Sequence, residues 1–336
     1  MKRIIQGILF SAFTSLHCSS ADSRLQDMHA GVALIPGEQP QVADTTGFYR
    51  ERILLLAHNK PSEKWPVQAP APLPGAILPY RRIVAYYGNL YTPRMGILGE
   101  RPREAMLEKL RREAVRWETA DTAFPVKMAL HYIAVTAQRS PGKNSKYRLR
   151  MPFHQIDTVL TMARGIHALV FLDVQPGHST LQEELPALEK YLLMPDVHLG
   201  IDPEYAMKNG DAPGRSIGTL DARDINYAVS YLAGLVKQYQ LPPKTLVVHR
   251  FTQAMITNYK AINTCPEVQI VINMDGFGFA AKKISTYNSF IAREPVQFTG
   301  FKLFYRNDTA GTKAAAVMLP EEILKLYPKP VYIQYQ

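Results

Sequence analysis

The chain has 336 residues, 46% hydrophobic and 20% charged, an ordinary globular composition with room for one large domain or two small ones and no low-complexity tract or repeat. Its formal charge of +10 suits anionic envelope polymers or lipid head groups, but no recognisable RNA-binding motif interleaves its basic and aromatic residues, so nucleic acid is not expected as a partner. Of two cysteines, Cys18 falls in the N-terminal leader and Cys265 is left without a partner, which excludes a disulfide-stapled scaffold.

The chain opens MKRIIQGILFSAFTSLHCSSADS: two basic residues, an apolar run from Ile4 to Leu16, then small residues. That pattern predicts a secretory signal peptide over residues 1–21, too short to span a bilayer, and an exported protein. Ser19 and Ala21 suit cleavage after Ala21, which gives soluble export. The alternative is a lipid on Cys18 that anchors the chain to a membrane, with bulky His17 where such sites carry a small residue. No transmembrane segment is expected in the mature chain.

Residues 22–79 read as an N-terminal arm and linker. Residues 22–47 are irregular, residues 48–58 form a short amphipathic helix, and PSEKWPVQAPAPLPGAILP is held extended by its prolines. From residue 80 to 336 the pattern alternates. Apolar runs predict strands at 82–88, 127–135, 168–174, 197–202, 244–249, 268–274, 299–305 and 331–335. Helical spacing fills 102–118, 153–165, 180–193, 221–239, 252–262, 280–292 and 313–327, with Asp221 and Asp224 as a capped start for the fourth of these. Near-continuous apolar strands alternating with helices imply a covered parallel sheet, and eight such units over this length predict an α/β fold of the (β/α)8 TIM-like barrel type. No eighth helix is expected after the last strand, and the helix at 48–58 is expected to cover the side left bare.

In such barrels functional groups gather where strands end. Those positions hold Tyr87, Asn89, Gln138, Asp173, Gln175, Asp202, Glu204, His249, Asn273, Asp275, Tyr305 and Asp308. Side chains two apart share a face, so Asp173 with Gln175 and Asn273 with Asp275 can turn toward the axis. Pro203 should stop its strand at Asp202 and leave Glu204 just beyond, where two close carboxyls would make a protonated acid beside an ionised base. Each strand-end aspartate has a plainer reading as a helix cap or a loop tie, the better one for Asp308. His131, inside ALHYIAV, reads as a core residue; His178 reads as a loop residue that either binds substrate or is solvated, and Arg215 as one that either meets an anion or holds its long loop.

The succession VAYYGN, MGILGE, LDVQPGHS, GIDPEY, VVHRFT, NMDGFG and GFKLFY resembles a family of uncharacterised bacterial secreted proteins and lipoproteins; the resemblance implies an exported barrel and assigns no catalytic residues. Asp202-Pro203-Glu204 is also similar to the strand-four Asp-x-Glu of chitinase-like and lysozyme-like glycoside hydrolases, which implies Glu204 as general acid and Asp202 as stabiliser. Val197 and Gly200 stand where the chitinase pattern has two earlier acids, and no tyrosine separates Met274 from Asp275.

The expected function is therefore hydrolysis of an envelope or environmental polysaccharide or other glycan, with Glu204, Asp202 and Asp275 catalytic and Tyr87, Asn89, Asp173, Gln175, His249, Asn273 and Tyr305 binding substrate. No cofactor is expected. The alternatives are a non-catalytic carbohydrate- or partner-binding barrel, and a metal-dependent hydrolase drawing on Asp173, Asp202, His249 and Asp275. A Gly-rich nucleotide loop in proper context is absent from the sequence.

Overall fold

The computed structural model describes residues 45–310 and 317–336, so the predicted signal peptide over 1–21, Cys18 and the predicted arm up to residue 44 lie outside the described residues. Among the described residues, eight parallel strands close on themselves: β1 (Arg82–Gly88), β2 (Val126–Ala137), β3 (Leu169–Val174), β4 (Val197–Ile201), β5 (Lys244–Arg250), β6 (Val268–Met274), β7 (Phe298–Leu303) and β8 (Tyr332–Tyr335). Closure is complete because β1 pairs with β2 on one edge and with β8 on the other. The chain is a (β/α)8-type barrel, as the alternating pattern predicts.

Two apolar cores follow from the period of two along each strand. Outward residues such as Val84, Leu130, Val170, Leu199, Leu246 and Ile270 pack under the surrounding helices. Inward residues, among them Ile83, Ala85, Ala129, Leu169, Phe171, Val247, Val271 and Phe298, fill the lower half of the barrel. The covering helices are α2 (Arg103–Ala120), α3 (Phe153–Arg164), α4 (Leu181–Leu192), α5 (Ala222–Tyr239) and α6 (Ala280–Thr286), the last running on as a π-helical turn to Ala292. Among the described residues no helix is long and apolar enough to cross a membrane.

Helix α1 (Thr45–Leu56) does not cover a bare side. It lies under the N-terminal strand ends: Arg52 donates to Tyr80 O and Ala123 O and sits over the Phe124 ring, and Leu56 joins the inner core while its carbonyl accepts from Lys329 N at 2.8 Å. The side beside β8 is already closed by α2, whose Trp117 donates to Tyr335 Oη at 2.9 Å. The open place for an apolar face is the bottom of the barrel.

Two predicted helices are shortened. Residues 252–262 form 3-10 turns at Gln253–Met255 and Tyr259–Ala261 around the two-residue strand Ile256–Thr257, which pairs with Leu220–Asp221. The helix fails there because Asn258 is left-handed (φ 56°) and because Asn226 of α5 takes Ala261 O and Asn263 N. Of the helix predicted at 313–327 only Pro320–Ile323 is seen, and residues 311–316 lie outside the described residues.

Asp221 caps α5 by accepting from Arg223 N (3.1 Å), while Asp224 reaches back to Asp221 N (2.7 Å). Asp221 Oδ2 accepts from Thr257 Oγ1 (2.8 Å) and Asn258 Nδ2 (2.6 Å), tying the irregular β5–β6 segment to the helix start. Asp221→Ala should therefore cost about 2 kcal/mol, the upper end for a lost cap, measured by urea unfolding. A loss within error of zero would refute this double role.

Candidate active site

Along the inward face each strand changes from apolar to polar at a similar height. Ala85 gives way to Tyr87, Ala129 to His131, Phe171 to Asp173, Val247 to His249, and Val271 to Asn273 and Asp275, while β7 contributes Lys302 and β8 Gln334. The barrel thus has an apolar base and a buried polar upper half, opening at the C-terminal strand ends.

Asp173 is the centre of that polar half and has no solvent exposure. Its Oδ2 accepts from Tyr87 Oη at 2.8 Å; its Oδ1 faces His131 Nε2 at 3.3 Å and His249 Nε2 at 3.6 Å. Beyond them, His131 Nδ1 lies 2.6 Å from Tyr332 Oη, and His249 Nδ1 lies 2.9 Å from Asp275 Oδ2. Asp275 Oδ1 is 2.9 Å from Lys302 Nζ, which also sits 3.9 Å from the Tyr87 ring centre. Burial alone would raise the Asp173 carboxyl, but His249 and His131 hold it far below the usual carboxylate range. Burial pushes the His131 imidazole down to about 4, against the pull of Asp173. His249 resists the same burial because Asp173 and Asp275 flank it, and it is pushed up to about 10. The ligand-type atoms of His131, Asp173 and His249 lie within 4.8 Å of one another, close enough to share a metal ion.

Above this floor is a cleft of about 640 Å³, lined among others by Tyr87, Gln175, Asp202, Glu204, Tyr205, Phe251, Asp275, Phe277, Lys302 and Phe304. Strand β4 stops at Pro203, and Pro203–Tyr205 turn in a 3-10 helix capped by Asp202, whose Oδ1 accepts from Glu204 N at 3.1 Å. Asp202 Oδ2 accepts from Gln175 Nε2 at 3.3 Å. Burial pushes the Asp202 carboxyl well up, and half-buried Glu204 is pushed up to about 6 by burial and by Asp275. Asp275, though buried, is drawn below the usual range by Lys302 and His249. Three carboxyls thus share a cleft in different environments, two biased toward the acid form and one toward the ion.

The fold brings together Tyr87, Gln175, Asp202, Glu204 and Asp275 on the cleft wall, with Asp173 and His249 directly below. Of the residues expected to bind substrate, Asp173 and His249 are thus buried beneath the cleft and do not line it, and three more also stand off its wall. Asn89 is buried, donating to Ile133 O at 2.9 Å and accepting from Tyr91 N, so it ties the β1 loop. Asn273 points into the barrel below the cleft, 3.4 Å from Gln334 Oε1. Tyr305 leaves the barrel and bonds Glu113 of α2 and the Tyr86 hydroxyl, because Leu303 ends β7 and the chain turns outward. Gln138 turns back to Ser140 O, and His178 is held by Asp211 O and packed on Tyr147. Asp308 accepts from Gly278 N and Phe304 N, the loop tie its position suggests. Lys302 and His131 escaped sequence reasoning as site residues. A lysine and a histidine inside otherwise apolar strands were the available signal, since buried ionisable groups require partners.

No family model matches the chain, and no curated protein matches it. Among solved structures one similar chain is GH26C from Muricauda sp. MAR_2010_75, at a TM-score of 0.33 and 12% identity over 87% of this chain and 82% of that one. The barrel rests on its own strand pairings.

Gly200 of β4 stands against the floor with no side chain. A Cβ there would come within 2.3 Å of His131 Nε2 and 2.4 Å of Asp173 Oδ1, atoms that cannot retreat in a packed barrel. Gly200→Ala should destabilise by about 1–3 kcal/mol or prevent folding, whereas Gly234→Ala, in α5 with nothing within 4 Å, should stabilise slightly. Thermal unfolding of the two variants checks the contrast, and equal shifts would sink it.

Proposed function

We propose that this chain is an exported glycoside hydrolase-like barrel that cleaves an envelope or environmental polysaccharide by carboxylate acid/base chemistry. The observation that carries the reading is a carboxyl poised near 6, Glu204, in one cleft with Asp275, a carboxylate held ionised by a lysine 2.9 Å away. Glu204 gives its proton to the glycosidic oxygen as the bond to the anomeric carbon breaks, and the electron pair stays with the leaving oxygen. Asp275 faces the positive charge that develops on the sugar. Water then adds to the anomeric carbon and its proton returns to Glu204.

Asp202 acts through hydrogen bonds rather than charge, since burial keeps its carboxyl up and Glu204 N and Gln175 engage it. Tyr87 and Gln175 offer polar contacts to hydroxyls, and Tyr205, Phe251, Phe277 and Phe304 offer aromatic walls to sugar rings. One observation favours the second reading, a non-catalytic glycan-binding barrel: an Asp202 oxygen is already spent on capping the turn. Export rests on the leader sequence and on the motif resemblance to bacterial secreted proteins. Intact mass of secreted protein should show loss of residues 1–21, and a diacylglyceryl mass on Cys18 would replace that outcome with membrane anchoring.

Glu204→Gln should lower turnover on a labelled glycan panel by about 10²–10⁴-fold while binding persists. Because the acid must be protonated, wild-type kcat/KM should fall about tenfold per pH unit above about 6, and the variant should lose that limb. Wild-type protein that binds glycans but cleaves none would leave the binding barrel standing instead.

A further inference from the structure

We propose that His131, Asp173 and His249 form a zinc site at the centre of the barrel, beneath the floor of the cleft. The three residues come from β2, β3 and β5, all are fully buried, and their donor atoms converge within 4.8 Å of one another. The inference is independent of whether the cleft cleaves glycans.

The spacing argues for a shared cation over a hydrogen bond. The two imidazole nitrogens stand 3.3 Å and 3.6 Å from Asp173 Oδ1, beyond the usual 2.9–3.0 Å of an N–H···O bond. None of the three atoms makes a hydrogen bond in this geometry, although each is buried. Buried polar atoms left in that condition are costly and need a reason. Zinc bonds of about 2.0–2.1 Å arranged tetrahedrally put neighbouring ligand atoms roughly 3.3–3.4 Å apart, close to the 3.3 Å and 3.6 Å that separate the two nitrogens from Asp173 Oδ1.

The outer partners fit as well. A metal-bound histidine ordinarily has its second nitrogen held by a carboxylate, carbonyl or hydroxyl, which fixes the ring. His249 Nδ1 faces Asp275 Oδ2 at 2.9 Å, His131 Nδ1 faces Tyr332 Oη at 2.6 Å, and the second oxygen of Asp173 accepts from Tyr87 Oη at 2.8 Å. Gly200 keeps side-chain atoms out of the space against His131 Nε2 and Asp173 Oδ1. Two imidazoles and one carboxylate select zinc over magnesium or calcium, which prefer all-oxygen shells, and leave a fourth position for water. The ion would bind three strands together and, through His249, fix the side of Asp275 that faces away from the cleft.

The test uses the full chain, purified without chelator and assayed for metal by mass spectrometry, then unfolded in chelator and refolded with zinc, with cobalt(II) or with neither. The expected results are one zinc per chain, a higher Tm with zinc than without, and the intense visible absorption of tetrahedral cobalt. His131→Gln and His249→Gln should lose the stoichiometric metal, while Cys265→Ala, which removes the free thiol outside the site, should keep it. If the histidine variants do not fold, the wild-type stoichiometry and cobalt spectrum decide. Wild-type protein that refolds without metal and shows no Tm shift in zinc would overturn the proposal, as would full zinc retention in a folded His249→Gln variant.

Discussion

A carboxylate with no solvent exposure organises the upper half of this barrel. Removing an ionised Asp173 from water costs several kcal/mol, which only well-placed partners offset, and those partners come from other strands. Tyr87 belongs to β1, His131 to β2 and His249 to β5; Asp275, Lys302 and Gln334 extend the network to β6, β7 and β8. Strand β4 contributes by omission, since any side chain at Gly200 would strike the pair at its centre. All eight strands therefore answer to one buried group, and a register slip in any of them would turn a required partner outward.

The lower half obeys a simpler rule. Ile83, Ala129, Leu169, Val247, Val271 and Phe298 need only volume and apolarity, and α1 with Phe124 closes them from below. Arg52 serves that closure through two backbone carbonyls and a ring face, with the Glu51 and Asp121 carboxylates favouring its charge. Stability is thereby concentrated at the base and reactive polarity at the rim, the division that lets a barrel vary its loops without losing its core.

The strands were legible because a buried strand is an uninterrupted apolar run, and β1 and β6 fall at the very residues that pattern predicts. The segment between β5 and β6 was not legible, since its helical spacing is overridden by hydrogen bonds from Asn226 and Asp221, which lie over thirty residues earlier. In the site the same limit applies. Period two places Asp173 and His249 inward, but no local pattern says that β7 has ended before Tyr305, or that Asn273 stops below the cleft while Asp275 reaches it. Lys302 was the clearest missed signal. A lysine between Phe301 and Leu303 has no place in a strand unless an anion waits for it, and here that anion is Asp275.

Asp275 joins the two halves of the argument, because one carboxylate is shared between the floor and the cleft. Its Oδ2 faces His249 below, its Oδ1 faces Lys302, and the side chain still lines the cavity, so its charge is set from inside the barrel. Glu204 is set differently. Pro203 ends β4 and throws the next residue onto a short turn, held there by its own amide on Asp202, where it stays half-buried and answers to solvent as well as to its neighbours. A strand-end carboxylate in contact with Lys302 and His249, beside a loop carboxyl that those two groups reach only at longer range, is how a single cleft holds one group ionised and raises another to about 6. The difference arises from backbone position before any substrate arrives.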